Sequence, residues 1–294
     1  MISKGLKKIC ILGVLIFSES ISSNLPAQSI AALDVGSDRA LAILDSMGMT
    51  YTSITPGQLD TVDLFNFSLL YVGSTFLDGG VTIPAQVALD SLNINKVKIR
   101  DYVEAGGGLV ALSEPIGNGK WNWVPVSVAG TDGFASGFDQ VVITNSTHPV
   151  MAALTSELLS GWGNSAHNSF TTTDGLEVIA TKNSGEPVTL VGELGCGRIV
   201  LTGQDPDWHG VYGEEAAKTL LRNSLNWVVN RKGDLDASGD LTPADVVLML
   251  NCVFLASGNC DFCFADANCS DDLTPADVVL ELNKVFLNSP FPCL

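Results

Sequence analysis

The sequence predicts an α/β domain followed by a small helical module, and three observations support this division. Short apolar runs alternate with segments of helical periodicity between residues 28 and 231, which is typical of a parallel sheet covered by helices on both faces. Two nearly identical segments, LTPADVVLMLNCVFL at residues 241–255 and LTPADVVLELNKVFL at residues 273–287, follow this region. A short acidic run precedes each copy, so we expect two loop–helix repeats.

The N-terminal segment has the features of a secretory signal peptide. Lys4, Lys7 and Lys8 precede an apolar run at residues 9–17, and polar residues follow it. This run is shorter than the roughly 20 residues that cross a bilayer. We therefore expect residues 1–27 to be removed near Ala27 and the protein to be secreted or extracellular, with no other membrane span.

The first half of the large domain alternates predicted strands with predicted helices. Apolar runs predict strands at residues 30–35, 68–73 and 109–113. Helical spacing predicts helices at residues 39–47 and 94–104, the second ending at a Gly-Gly-Gly run.

The last third of the domain predicts hairpins and a closing helix. Strands are predicted at residues 176–181, 187–193 and 198–202, with glycine-containing turns between them. Residues 214–229 predict an amphipathic helix with apolar positions every three or four residues.

Three segments of this domain resemble the class I glutamine amidotransferase-like fold. They are YVEAGGGLVALS at residues 102–113, THPV at residues 147–150 and GRIVLTG at residues 197–203. The resemblance implies a flavodoxin-like α/β sheet. Catalytic members carry a cysteine on the turn where this chain has Ser113 and Glu114. The resemblance therefore implies that residues 28–231 lack amidotransferase chemistry.

Another catalytic set is chemically possible in this domain but has little support. Ser113 with one of the histidines His148, His167 and His209 and a carboxylate would form a nucleophile–base arrangement. No G-x-S-x-G motif surrounds Ser113, so we predict no catalytic residue.

Two further features of the domain leave alternatives open. Asp205, Asp207 and His209 follow a predicted strand, where ligand sites form in α/β proteins, yet a solvated turn is the favoured interpretation. The tryptophans can contact sugar rings if exposed, or fill the ends of the sheet. These are Trp121, Trp123, Trp162 and Trp208.

The acidic runs have the oxygen-ligand order of calcium-binding loops. Such loops place side-chain ligands at positions 1, 3, 5 and 12 and a backbone carbonyl at position 7. The first loop has Asp234, Asp236, Ser238, Asp240 and Asp245 at positions 1, 3, 5, 7 and 12. The second has Asp266, Asn268, Ser270, Asp272 and Asp277 there. The sequence therefore predicts two bound Ca²⁺ ions.

Both loops end in Asp instead of the usual Glu, and the following helix explains how the shorter side chain reaches the ion. In each Thr-Pro-Ala-Asp segment the threonine is predicted to cap the helix and the aspartate to complete a capping box. Asp245 and Asp277 are thus expected to serve both ion and helix. The second loop has fewer carboxylates and Asp271 where Gly is preferred, so we expect it to bind calcium more weakly.

Charge and cysteine content support a secreted, calcium-dependent module. Ten acidic residues against Lys284 from residue 233 onward contribute −9 of the net −17, which argues against nucleic-acid binding. Five of the seven cysteines lie in or beside the repeats. Disulfides are favoured over a zinc site. The odd number leaves one thiol unpaired or joined to Cys196.

Residues 233–287 resemble a type I dockerin module. The resemblance implies that residues 232–294 form an all-α domain with two EF-hand-like loops, whose helices dock onto a cohesin domain of a scaffold or cell-surface protein. Loop positions 10 and 11 hold Pro-Ala in both copies, where the family commonly has Ser or Thr. Some apolar helix positions are expected to form the core, among them Val246, Val247, Leu250, Val278, Val279 and Leu282.

The resulting expectation is a secreted protein that attaches a non-catalytic α/β domain to a cohesin-bearing partner. The alternative is a dockerin-tethered hydrolase of polysaccharide catabolism. The central domain offers no strong pair of carboxylates of the glycosidase type, which favours the first interpretation.

Overall fold

The computed structural model describes residues 29–36, 38–74, 83–112, 120–130, 140–163, 165–229, 232–236, 238, 240–258 and 260–293. The expected signal peptide, the Ser113–Glu114 turn and Gly239 lie outside these residues.

A mixed eight-stranded sheet forms the centre of the larger part of the chain. Its strands are β1 (Ile30–Leu33), β2 (Tyr51–Ile54), β3 (Leu69–Val72), β4 (Gly108–Ala111), β6 (Val141–Ile143), β8 (Glu177–Lys182), β9 (Pro187–Leu194) and β10 (Gly197–Thr202). Their order is β2-β1-β3-β4-β10-β9-β8-β6. The first five are parallel and the last three antiparallel. Strands β5 (Ala129–Gly130) and β7 (Phe170–Thr172) form a separate antiparallel pair.

Eight α-helices accompany the strands in the described residues. They are α1 (Asp38–Ser46), α2 (Ile83–Ile94), α3 (Lys96–Glu104), α4 (Pro206–Val211), α5 (Glu215–Val228), α6 (Pro243–Leu250), α7 (Phe262–Ala265) and α8 (Pro275–Leu287). The mixed α/β class and every predicted strand and helix are confirmed, with small shifts at their ends.

The sequence patterns did not predict several elements, and they placed the start of one helix two residues too early. The helix predicted at residues 94–104 starts at Lys96 because Asn95 separates it from α2. The Asn95 side chain donates to the Ser91 carbonyl at 2.9 Å and to Asp60 at 2.6 Å, and such bonds compete with helix continuation. Strand β2 was missed because its two middle residues are exposed and show no apolar alternation.

The core lies around the parallel strands. All residues of β1, β3 and β4 are buried on both faces, as expected for strands between two helix layers. Gly107 packs against the ring of Tyr102, where an added Cβ would lie 2.2 Å from the ring. This close approach explains why glycine stands between α3 and β4.

The tryptophans fill the structure instead of forming an exposed sugar-binding surface. Trp121, Trp123 and Trp162 are buried. The guanidinium of Arg39 lies 3.3 Å from the ring centroid of Trp208. The interpretation that tryptophans fill the ends of the sheet therefore fits, and sugar contact by the three buried rings is excluded.

The C-terminal residues form a second, small hydrophobic cluster. Leu235, Met249, Cys252, Ala265 and Val278 are its buried members. A core of this size contributes little stabilisation by itself. None of the described helices is long and apolar enough to cross a membrane.

Three disulfides supplement this core. They join Cys252 to Cys260, Cys269 to Cys293, and Cys196 to Cys263. The odd cysteine is therefore paired with Cys196, and no thiol of this set is available for zinc. The Cys196–Cys263 bond attaches α7 to the turn between β9 and β10.

We expect the Cys196→Ser/Cys263→Ser variant to lose more stability than the Cys252→Ser/Cys260→Ser variant. The first bond spans 67 residues and the second 8, so loop entropy predicts losses of about 4 and about 2.5 kcal/mol. Urea unfolding of the oxidised protein in a buffer that contains Ca²⁺ measures both. A larger loss from the shorter bond would contradict this explanation.

Candidate functional site

The aspartate at position 12 of the first acidic loop joins the loop to helix α6. One carboxylate oxygen of Asp245 accepts from the amide of Thr242 at 2.8 Å and from its hydroxyl at 3.1 Å. The other oxygen accepts from the amides of Leu235 at 2.9 Å and Asp236 at 3.2 Å. Asp245 is fully buried, so this single carboxylate fixes both the loop and the start of the helix.

The second loop repeats this arrangement. Asp277 accepts from the amide of Thr274 at 2.7 Å and from its hydroxyl at 3.1 Å. Its other oxygen accepts from the amide of Asn268 at 3.1 Å. The predicted capping boxes are present at both helices, which confirms the helix-capping role of each aspartate; its role as an ion ligand stays a prediction.

The residues at loop positions 1, 3, 5 and 7 make equivalent hydrogen bonds in the two loops. The Ser238 amide donates to Asp234 at 3.0 Å and to Asp236 at 2.9 Å. The Ser270 amide donates to Asp266 and Asn268, both at 3.0 Å. Each serine hydroxyl donates to the carbonyl at position 7, that of Asp240 or Asp272, at 3.1 Å.

The first loop brings more negative charge together than the second. Carboxylate oxygens of Asp234, Asp236 and Asp245 all lie within 4.8 Å of one another, whereas position 3 of the second loop is the neutral Asn268. Asp271 has a φ of +63°, as predicted for the position where glycine is preferred. An all-oxygen donor set of this kind is suited to calcium.

A buried carboxylate that the motif did not indicate lies beside the first loop. Glu281, on α8, is fully buried, and neither carboxylate oxygen has a hydrogen-bond partner. Its carboxylate packs against Gly233, where an added Cβ would lie 2.4 Å from Oε2. Burial, followed by the negative charge of Asp245, raises the pKa of Glu281 to about 8. The only sequence signal was that Met249 occupies the equivalent position.

A half-buried cation lies beside the second loop instead. The Nζ of Lys232 donates to Sγ of Cys269 at 2.7 Å. Burial lowers the pKa of Lys232, while the carboxylates of Asp266 and Asp277 act in the opposite direction. The two loops therefore differ in their surroundings: the first has an added carboxylate, and the second has an added ammonium group.

A separate polar cluster occupies the carboxyl end of β10 in the α/β domain. Asp205 precedes α4, and its carboxylate lies 3.2 Å from Nε2 of His167 and 3.3 Å from Nε2 of His209. Burial raises the pKa of Asp205, but contacts with the two histidines outweigh burial and lower it. The amide of His167 donates to the Gly203 carbonyl at 2.7 Å, which brings its loop to this strand.

Asp207 extends this cluster toward β3. Its carboxylate accepts from the Ser74 amide at 2.9 Å, from the Ser74 hydroxyl at 2.8 Å and from the Trp208 amide at 3.0 Å. Burial, with the charge of Asp205, raises the pKa of Asp207 to about 6. Asp205 and Asp207 are only 2% and 0% exposed, so the favoured interpretation of a solvated turn was wrong.

The third histidine has a different role. Nδ1 of His148 accepts from the amide of Val150 at 3.2 Å, which caps the short helix Pro149–Met151. Its ring packs against Trp227. This agrees with a turn at Pro149. Ser113, the candidate nucleophile in the sequence, lies outside the described residues.

Comparisons with known proteins give only distant structural likenesses. No model of a known protein family matches the chain, and no curated protein matches it either. Among solved structures, PurLQS from Thermotoga maritima is 14% identical, with a TM-score of 0.48, over 68% of this chain and 99% of its own.

Two others are similarly distant. A glutamine amidotransferase from Thermotoga maritima is 10% identical, with a TM-score of 0.47, over 69% of this chain and 99% of its own. A cytoplasmic protein from Salmonella typhimurium is 14% identical, with a TM-score of 0.47, over 69% of this chain and 100% of its own. These likenesses assign no function.

We expect Ser74→Ala to destabilise the protein by about 1.5–3 kcal/mol at pH 7.5, because its hydroxyl donates to a buried carboxylate. Ser224→Ala is the matched control. That hydroxyl is equally buried but donates to a backbone carbonyl within α5, so we expect a loss below about 1 kcal/mol. Urea unfolding followed by tryptophan fluorescence compares them, and equal losses would show that Asp207 does not depend on Ser74.

Proposed function

We propose that residues 232–294 form a dockerin-type module that binds two Ca²⁺ ions and attaches a secreted α/β domain to a cohesin-bearing partner. The observation that carries this proposal is the equivalence of the two loops. Each gathers five predicted ligand positions and is closed by a buried aspartate that also caps the following helix. An ordinary acidic turn has no reason to repeat this arrangement after 32 residues.

The surroundings of the first loop support a divalent cation. Asp234, Asp245 and Glu281 are all at least nine-tenths buried, and burying several carboxylates together is costly unless a positive charge compensates them. The carboxylate oxygens of Glu281 have no hydrogen-bond partner, which increases the free-energy cost of burying this group without a cation. When bound, Ca²⁺ would supply the missing positive charge, held by Asp234, Asp236, Ser238, the Asp240 carbonyl and Asp245.

Two equivalent exposed apolar faces support a protein partner. The first repeat exposes Val247, Leu250 and Phe254, and the second exposes Val279, Leu282 and Phe286 at the same spacing. Val246 and Val278, which each lie one position before Val247 or Val279, are buried instead. Contiguous exposed apolar residues mark interaction surfaces, so either helix offers a partner the same face.

In this proposal, the α/β domain is what the module attaches to the partner, and it is a non-catalytic member of the glutamine amidotransferase-like fold. The Cys196–Cys263 disulfide would hold the module against the β9–β10 turn, so that docking also orients the domain. Three disulfides fit the oxidising compartment that a secreted protein enters.

We expect Asp245→Ala to raise the calcium concentration needed to fold the module more than Asp277→Ala does, because the first loop gathers more carboxylates. Calcium titration followed by circular dichroism measures both. Asp261→Ala is the control, since Asp261 caps α7 and lies outside both loops. Equal effects of the first two substitutions would refute the predicted order of affinity.

The neighbouring charges predict opposite effects at the two loops. At pH 9, above the pKa of about 8 of Glu281, Glu281→Gln removes a negative charge beside the first loop, and we expect its calcium affinity to fall by about tenfold. Lys232→Met removes a positive charge beside the second loop, and we expect that affinity to rise. Calorimetric titration resolves the two sites. A change of the same sign in both variants would contradict the proposed electrostatic asymmetry.

Partner attachment is tested by capture on a panel of immobilised cohesin domains, with calcium or with a chelator. We expect Leu250→Asp and Leu282→Asp each to retain binding through the other helix, and the double variant to lose it. Capture that survives complete calcium removal would overturn the anchoring mechanism. Failure of every cohesin to bind the calcium-loaded protein would overturn the partner assignment.

A further inference from the structure

The polar cluster at the carboxyl end of β10 has a feature that hydrogen bonding does not explain. Oδ1 of Asp205 and Nε2 of His209 lie 3.3 Å apart, yet neither atom has a hydrogen-bond partner. Both atoms are buried. Buried polar atoms in folded proteins nearly always have a partner, so two unsatisfied atoms facing one another indicate a missing ligand between or beside them.

The position of Asp205 is a second indication of a missing ligand. It precedes α4, where an aspartate normally accepts a hydrogen bond from the first turn of the helix, but its side chain makes no such bond. The carboxylate is instead held between His167 and His209. One ligand atom from each of these three side chains lies within 4.8 Å of the others.

The two carboxylates of this cluster also favour a bound cation. Asp205 and Asp207 are both buried in this cluster, and two carboxyl groups close together away from water are stabilised by a positive charge beside them. Ser74 and the Trp208 amide satisfy the oxygens of Asp207. The two imidazoles face Asp205, and imidazole nitrogens bind a metal ion as well as a proton.

We propose that His167, Asp205 and His209 bind one divalent transition-metal ion of the Zn²⁺ class. Two imidazole nitrogens with one carboxylate form the donor set that such ions prefer, whereas Ca²⁺ prefers oxygen alone. Three protein ligands leave at least one coordination position for water or another small ligand. This site is independent of the acidic loops, because it shares no residue with them.

The proposal is tested by equilibrium dialysis of the full secreted chain against Zn²⁺, with Ca²⁺ kept saturating so that the acidic loops do not take up zinc. We expect one Zn²⁺ per chain. His167→Gln and His209→Gln should each weaken binding by about 100-fold, because each removes a ligand. His148→Gln is the matched control and should bind like the wild type, since His148 lies outside the cluster.

A second measurement does not require the variants to fold. In the wild-type protein, adding Zn²⁺ should shift the imidazole NMR signals of His167 and His209 and leave those of His148 unchanged. Equal shifts at all three histidines would overturn the proposal. Binding of less than about 0.1 Zn²⁺ per chain would also overturn it, as would an unchanged zinc affinity in folded His209→Gln. Either of these two results would identify the cluster as an imidazolium–carboxylate ion pair.

Discussion

Burying carboxylates is the constraint on which both halves of this structure depend. A carboxylate removed from water needs hydrogen bonds or a positive charge close by. Asp245 and Asp277 meet this need with backbone amides and threonine hydroxyls. Asp207 meets it through Ser74. Glu281 and one oxygen of Asp205 have no hydrogen-bond partner, and these two places are where we infer bound cations.

The same constraint explains why the two repeats are not equivalent despite their similar sequences. Met249 and Glu281 occupy matching positions, but only Glu281 adds a charge, and it acts on the loop of the other repeat. The first helix also ends differently, because a π-helix at Asn251–Leu255 follows α6 and Cys252 is bonded to Cys260. α8 continues to Leu287 instead. Each repeat thus influences the other through a small shared core.

The sequence was informative where short-range chemistry decides the structure. The Thr-Pro-Ala-Asp capping boxes and the positive φ of Asp271 involve residues close together in the chain. The alternating apolar runs predicted β1, β3 and β4 because these strands are buried on both faces. Strand β2 was not predicted because its two middle residues are exposed. The break at Asn95 was not predicted because it involves a hydrogen bond to Asp60, which is distant in the chain.

The sequence by itself determined the two acidic loops, the ten positions predicted to be ligands and the helices that follow, since each loop closes on residues within eleven positions of its start. Only the tertiary structure decided the rest. It joined Cys196 to Cys263, brought Glu281 to the opposite repeat and placed His167 beside Asp205 and His209. These contacts join residues far apart in the chain, and only the packed sheet and the paired helices bring them together.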